Sequence, residues 1–463
     1  GWREAVQRLS AEKENRLAGD VRRLTLKLAA PSVAAMVASS LCSLLEALIL
    51  GRADARLSAA IGACFALTAL EQTVGFTLGM GAGSSVSRSL GCGNSDLALR
   101  SASVGFFAAL AISCIFLVVG LFFAAPVLSL LSAASDLARG AVYARYVCLC
   151  APMLCGSLTL SSLLRAQGKT LCNMVAYLVG ALLGAALLYV LCVLLNLDVH
   201  GAGAAMLIRE SAIFALLLLA LRQDASLVRP RLRQAKPTLS ILREIMRSGL
   251  PSLLRQGTTS LSAVLLSRIC AAFGAHALAG MGLAVRVCTL YSSALIGFGQ
   301  GFQPVCGINF GAGKFERCKT AYLFCQKAAF GATLVLSAVT FLLAPALASR
   351  FAPDAETAAF ASSALRTQSA TFFAQSAVVL MTMLTQAMGM TLRSSLVATG
   401  RQGLFFIPLL LILPRLFGER GLIFCQSISD LTALVFSFFL TRNIFRVQMP
   451  CTQKASSPPA GEG

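Results

Sequence analysis

The sequence predicts an all-α polytopic membrane protein, with twelve transmembrane helices arranged as two parallel six-helix repeats around a central cleft. Three observations lead there: an apolar composition, a spaced Gly/Pro pattern that occurs twice, and basic residues gathered in alternate connections. Of 463 residues, 57% are hydrophobic and 13% charged, against about 45–50% apolar and 25% charged in soluble domains. Apolar stretches long enough to cross about 30 Å of hydrocarbon fall at 28–50, 58–86, 103–131, 141–164, 171–195, 201–221, 249–272, 278–310, 321–347, 362–390, 403–416 and 421–440. The eleventh is the shortest, and it contains Pro408 and Pro414.

The duplication is carried by residues with backbone roles. Pro31-Ser32 recurs as Pro251-Ser252, an offset of 220. The same offset takes Gly62 to Gly282, Gly79 and Gly81 to Gly299 and Gly301, and Gly91 and Gly93 to Gly311 and Gly313. After one inserted residue, Arg165-Ala166-Gln167-Gly168 aligns with Gln386-Ala387-Met388-Gly389. Gly and Pro stand where a backbone bends or approaches closely, so their shared spacing indicates one structural unit used twice. Six helices per half bring both halves in from the same side, which makes the repeats parallel.

In chain order, 1–27 is a polar and charged segment, unlike a signal peptide, expected to lie in the cytoplasm or the interface with Trp2 near the headgroups. The first bundle is 28–221, opening at Pro31, with Gly79-Met80-Gly81-Ala82-Gly83 closing the second helix as a close-packing face. A linker, 222–247, follows, whose second part, 238–247, is expected as a helix lying under the bilayer. The second bundle is 248–444, and 445–463 is a cytoplasmic tail rich in Ser, Pro and Gly. The net charge of +20 does not point to nucleic acid, because Lys and Arg alternate between connections. They cluster before the first helix, between the halves, at Lys314, Arg317 and Lys319, and in the tail. The positive-inside rule puts those segments and both termini in the cytoplasm.

Several chemistries are excluded. The 16 cysteines mostly lie inside apolar stretches and form no CxxC, and only His200 and His276 could assist them in holding a metal. No metal and no cofactor is expected. Gly168-Lys169-Thr170 ends like a phosphate loop, but Leu163 stands where that pattern needs glycine. HExxH and GxSxG are absent from the sequence, so the reading is not an enzyme.

Charges inside a span cost about 2.5–3.5 kcal/mol each at its centre, so those retained are functional candidates. Glu46 shares a face with Ser39, Cys42 and Ser43 on helix one, and the corresponding face of helix seven reads Arg255, Thr258 or Thr259, Ser262 and Leu266. Two such stripes suggest two halves of one aqueous cavity, with an acid only in the first copy. Glu71, Gln72, Arg209, Glu210, Gln300, Gln303 and Gln375 complete the candidate lining. A charge-neutralising pair, Arg209 with Glu46 or with Glu210, is the structural alternative to a transport role.

The set Leu28 through Ser32, Ser43 through Arg52, Ser87-Arg88-Ser89-Leu90-Gly91, Arg165 through Lys169, His200 through Ala205, Gly249 through Ser252, Gly297 through Pro304 and Arg401-Gln402-Gly403 resembles the multidrug and toxic compound extrusion (MATE) family, bacterial branch. The resemblance implies two bundles around a cleft opening alternately to each side. It also implies a monomer in the inner (plasma) membrane, in contact with lipid, exporting amphipathic, often cationic small molecules in exchange for H⁺ or Na⁺. The family's helix-one carboxylate matches Glu46, and its kink-forming proline matches Pro31. Polar helix-five positions of the family fall near Gly184 and Leu188, and Arg209, Glu210 and Arg255 stand where uncharged residues are expected. The alternatives are a lipid-linked oligosaccharide flippase, with Arg209 and Arg255 holding a phosphate, and a non-transporting membrane scaffold.

Overall fold

The computed structural model describes residues 19–53, 61–62, 64–131, 137–223, 228–234, 238–352 and 354–445. Trp2 and the tail from 446 onward lie outside the described residues. The described chain is helical: α1 Val21–Ala53, α2 Phe65–Cys92, α3 Ser95–Leu131, α4 Leu137–Ala166, α5 Thr170–Leu188, α6 Asp198–Gln223, α7 Leu239–Phe273, α8 Ala275–Gly311, α9 Phe315–Phe351, α10 Ala355–Ala387, α11 Thr391–Thr399 and α12 Phe406–Thr441. A wider π-type turn extends α5 over Tyr189–Leu194, and another, Gly400–Leu404, joins α11 to α12.

Twelve spans result, although the last two divide differently from the helices. Gly418 takes φ 59 and ψ −137 inside α12, a left-handed conformation that glycine adopts at little cost. There the chain doubles back: Cys425 Sγ donates to the Leu409 carbonyl at 3.4 Å, and Gly421 lies directly against the Leu413 carbonyl. Span eleven therefore starts at Thr391, well before the apolar stretch from 403. Its first turns carry Ser394 and Ser395, 0% and 6% exposed, so they face protein instead of lipid and need no apolar side chains.

Two other sequence expectations change. Residues 239–247 are the opening turns of α7 and not a separate surface helix, because Ile245 is 0% exposed and its carbonyl abuts Gly81. Val21 to Lys27, expected outside the bundle, belong to α1. Pro31 lies within α1, which runs unbroken past it, and Ser32 Oγ donates to the Leu28 carbonyl at 3.1 Å.

The halves meet at the end where α1 begins and α2 ends, here called the base. The repeat glycines make that seam. Gly81 packs on Gly249 and Ile245, while Gly301 packs on Ala29 and Leu28. Those are the same contact in the two copies, since Gly81 maps to Gly301 and Ala29 to Gly249. Gly91 and Gly311, each the other's counterpart, meet directly, which puts them on the two-fold relation between the halves. Small residues let backbones approach this closely, and van der Waals packing is the main attraction between helices in lipid. Arg88 ties the seam together: its Nη2 lies 2.7 Å from Glu244 Oε1 and donates to Ser248 Oγ at 2.9 Å, while Nη1 donates to the Ala387 carbonyl at 3.2 Å. Gln386 Nε2 adds bonds of 2.9 Å to the Ser248 carbonyl and 3.0 Å to Ser252 Oγ.

Among the described hydrogen bonds and glycine contacts between α1 and α8, the Ser40–Ser293 hydroxyl pair, at 2.5 Å, lies farthest from the base. Beyond it α1 continues for 13 residues, about 20 Å at helical rise. The cleft opens toward this opposite end, the mouth.

Candidate functional site

The cleft holds two cavities, one in each half, that adjoin along α8 through Val285 and Thr289. The expected single aqueous cavity is therefore two lobes. The stripe on α1 lines the first with Ser39, Cys42 and Ser43, in a volume of about 560 Å³. The stripe on α7 lines the second with Arg255, Thr259, Ser262 and Leu266, in about 280 Å³.

Beside the first cavity two carboxylates share one guanidinium. Arg209 Nη1 donates to Glu46 Oε1, and its Nε and Nη2 lie 3.1 and 3.0 Å from Glu210 Oε1. The side chains are 21% exposed for Glu46, 22% for Arg209 and 7% for Glu210; Glu46 is thus the more exposed acid, while Arg209 and Glu210 are the members of the trio that line the cavity. Room for Arg209 comes from α5. A methyl on Gly184 would lie 2.6 Å from Arg209 Cδ and 3.3 Å from Glu46 Oε1. The polar helix-five group expected from the resemblance is absent at Gly184, and the arginine stem occupies the space beside that glycine. Cys42 Sγ donates to the Ala181 carbonyl at 2.7 Å, fixing α1 against the same helix.

Gln72, Gln300, Arg209 and Glu210 line the first cavity, and Gln375 lines the second. Glu71 and Gln303 do not line either cavity. One residue is about 100° of helix rotation, so α2 turns Gln72 to the cleft and Glu71 toward α4, where Cys155 Sγ donates to its backbone carbonyl at 3.3 Å. Glu71 is 0% exposed, and both carboxyl oxygens lack a hydrogen-bond partner among the described residues. Gln303 sits in the seam toward the base, with Nε2 donating to Ser84 Oγ at 3.2 Å.

The sequence reading passed over the ionic pair of the second lobe. Arg401 Nε lies 2.7 Å from Asp430 Oδ1, and Gln426 Nε2 donates to the same oxygen at 2.7 Å. Asp430 is the repeat counterpart of Glu210. Each acid follows by nine positions a glycine, Gly201 or Gly421, that packs on a backbone carbonyl of the preceding span. Extending the 220-residue offset into the last span would have exposed it. Arg165, 6% exposed, also lines the first cavity and donates to Ser161 and Ser162 at 2.5 and 2.9 Å. Arg286 lines it from α8.

A family profile described as MatE matches residues 31–190 and 251–412, one stretch in each half and together well over half of the chain. The chain belongs to the MATE family. MATE relatives include the multidrug export protein MepA of Staphylococcus aureus, 24% identical over 392 residues, 84% of this chain and 86% of the relative. MepA of Staphylococcus haemolyticus is 22% identical over 392 residues, with the same coverage. Among solved structures, MATE in the straight conformation superposes with a TM-score of 0.87 at 23% identity, over 93% of this chain and 98% of that one. The outward-facing conformation of a multidrug resistance MATE transporter gives 0.86 at 23%, over 93% and 97%. MATE proteins are multi-pass membrane transporters, and this chain is a bacterial MATE-type efflux transporter.

Proposed function

We propose that the chain is a proton-coupled antiporter that exports amphipathic small molecules by alternating access. The observation that carries this is the Glu46–Arg209–Glu210 group. Two carboxylates on one guanidinium leave one negative charge beside the cleft, and one proton neutralises it. Glu46 is the acceptor, being the more exposed acid. Protonation removes its attraction to Arg209, and Glu210 keeps the arginine compensated. α1 is then released from α6 and free to move about Pro31, biasing the balance between the two openings of the cleft. Na⁺ fits less well, because it needs several oxygen ligands. Both carboxylates already engage Arg209, and Gly184 and Leu188 bring no side-chain oxygen.

The base is the cytoplasmic end, on the positive-inside rule: Arg22, Arg23, Lys27, Arg243, Arg247, Lys314, Arg317 and Lys319 gather there. With the seam closed at the base, this is an outward-open form in the plasma membrane. The first cavity suits an amphipathic cargo, since Phe65, Phe76, Leu154 and Leu158 stand opposite the α1 hydroxyls.

The test is dye accumulation in proteoliposomes under separately imposed pH and Na⁺ gradients, with rhodamine 6G and fluorescein as cargo. A pH gradient should drive accumulation of at least one dye, and Glu46→Gln should abolish it. Wild-type accumulation by Glu46→Gln, or a response to Na⁺ alone, would overturn the assignment.

A further inference from the structure

We infer that the second cavity is a binding site for an anionic group, and that the amphipathic cargo taken by the cleft is an anion. Around the two cavities stand Arg165, Arg209, Arg255, Arg286 and Arg401. The carboxylates beside them are Glu46, Glu210 and Asp430. Five cations against three acids leave the cleft positive with every acid ionised, and protonation of Glu46 makes it more so. A cleft built for cations would carry the reverse balance.

Arg255 gives the second cavity its sign. Asp430 is taken by Arg401 and Gln426, whereas the Arg255 side chain has no ion pair or hydrogen bond among the described residues. An uncompensated guanidinium in a protein-lined cavity at membrane depth is costly, and such a charge is retained where a ligand supplies its counter-ion. Arg255 lines the cavity together with Gln256 and Gln402 as further hydrogen-bonding groups, and Leu266, Val379 and Phe406 furnish an apolar wall. A planar fork of donors matches a carboxylate, sulfonate or phosphate, while the wall takes the apolar body. The repeat counterpart of Arg255 is Ala35, so the first lobe lacks this cation at the same place.

Transport of the anion as cargo rests on the proton-coupled antiport reading, but the site does not, because binding can be measured with no gradient. The probes are two xanthene dyes of opposite charge, fluorescein and rhodamine 6G, titrated by fluorescence polarisation into the full chain in phosphatidylcholine nanodiscs. Fluorescein should bind more tightly than rhodamine 6G. Arg255→Gln should weaken fluorescein by about 10- to 100-fold, the range for losing a hydrogen bond to a charged group, and Arg255→Lys should recover part of the loss. Removing an unpaired cation should not lower the melting temperature, so both variants remain measurable. Repeating the titration in discs containing phosphatidylglycerol separates the two sources of the anion. Lost fluorescein binding there identifies a lipid headgroup as the occupant, and unchanged binding identifies a free anion. Preference for rhodamine 6G, or fluorescein affinity unchanged in Arg255→Gln, overturns the inference. Fluorescein binding of the expected pattern, with neither dye moved by any gradient, would instead overturn the proton-coupled antiport reading and leave the site standing.

Discussion

A single methyl group tests whether the α5 space is what holds the charged trio together. In Gly184→Ala the new carbon would lie 2.6 Å from Arg209 Cδ. Carbon contacts settle near 3.5–4.0 Å, so the arginine stem must withdraw by roughly 1 Å. The guanidinium moves with it, and the bond to Glu46 is the one at risk, because Glu210 is the next residue on the same helix. Losing one charge-assisted hydrogen bond costs about 1.5–3 kcal/mol, toward the lower end for a partly exposed pair. Alanine's better helix propensity returns up to about 1 kcal/mol. The control is Gly331→Ala in α9, where nothing lies within 4 Å of the added carbon and only the propensity gain applies. Thermal melts of the purified proteins should therefore place Gly184→Ala below wild type and Gly331→Ala at or above it. The pH profile of gradient-driven dye uptake should shift in Gly184→Ala alone. Coincident melting curves and pH profiles for the two variants would refute the placement of Arg209 against α5.

Three further outcomes are expected. Arg88→Ala removes the base contacts to Glu244, Ser248 and the Ala387 carbonyl; amide exchange of the α2 end and the α7 start should quicken by about 10-fold or more, the equivalent of one charged hydrogen bond. Asp430→Asn leaves Arg401 without an acid and should cost about 3–5 kcal/mol in a melt, whereas Arg401→Met with Asp430→Leu should recover most of it. Asp354 caps α10 by accepting from the Thr357 N–H at 2.7 Å. That bond holds its carboxyl below the usual range, so the cap's contribution is complete above about pH 4 and fades as pH falls through the lowered value. The melting difference between wild type and Asp354→Ala should accordingly be constant near neutrality and shrink in strong acid.

Fold and duplication were legible because both leave a linear record. Long apolar runs mark spans, and glycines at one offset mark a repeat. The start of span eleven was not legible, since Thr391, Ser394 and Ser395 lie against protein and carry no apolar signal. Candidates at the site divided for a similar reason. Glu46 and Arg209 are conspicuous as charges in apolar stretches, yet their partnership spans 163 positions and depends on the missing side chain of Gly184, which no periodicity reports. Glu71 and Gln72 are equally polar neighbours in sequence, and only the rotational setting of α2 decides which one meets the cleft.

Gly91 and Gly311 have a consequence for how the two copies could specialise. A residue on the two-fold relation has its own duplicate as its neighbour, so a bulkier side chain in either copy runs into the other. Away from that line the duplicates no longer touch. There the chain has room for Glu46 opposite Leu266, Ala35 opposite Arg255, and an arginine that reaches Glu210 from its own helix but Asp430 from another. The halves thus keep a common axle while their outlying positions differ. Energy coupling and cargo recognition can sit in separate copies without either copy losing the motion they share.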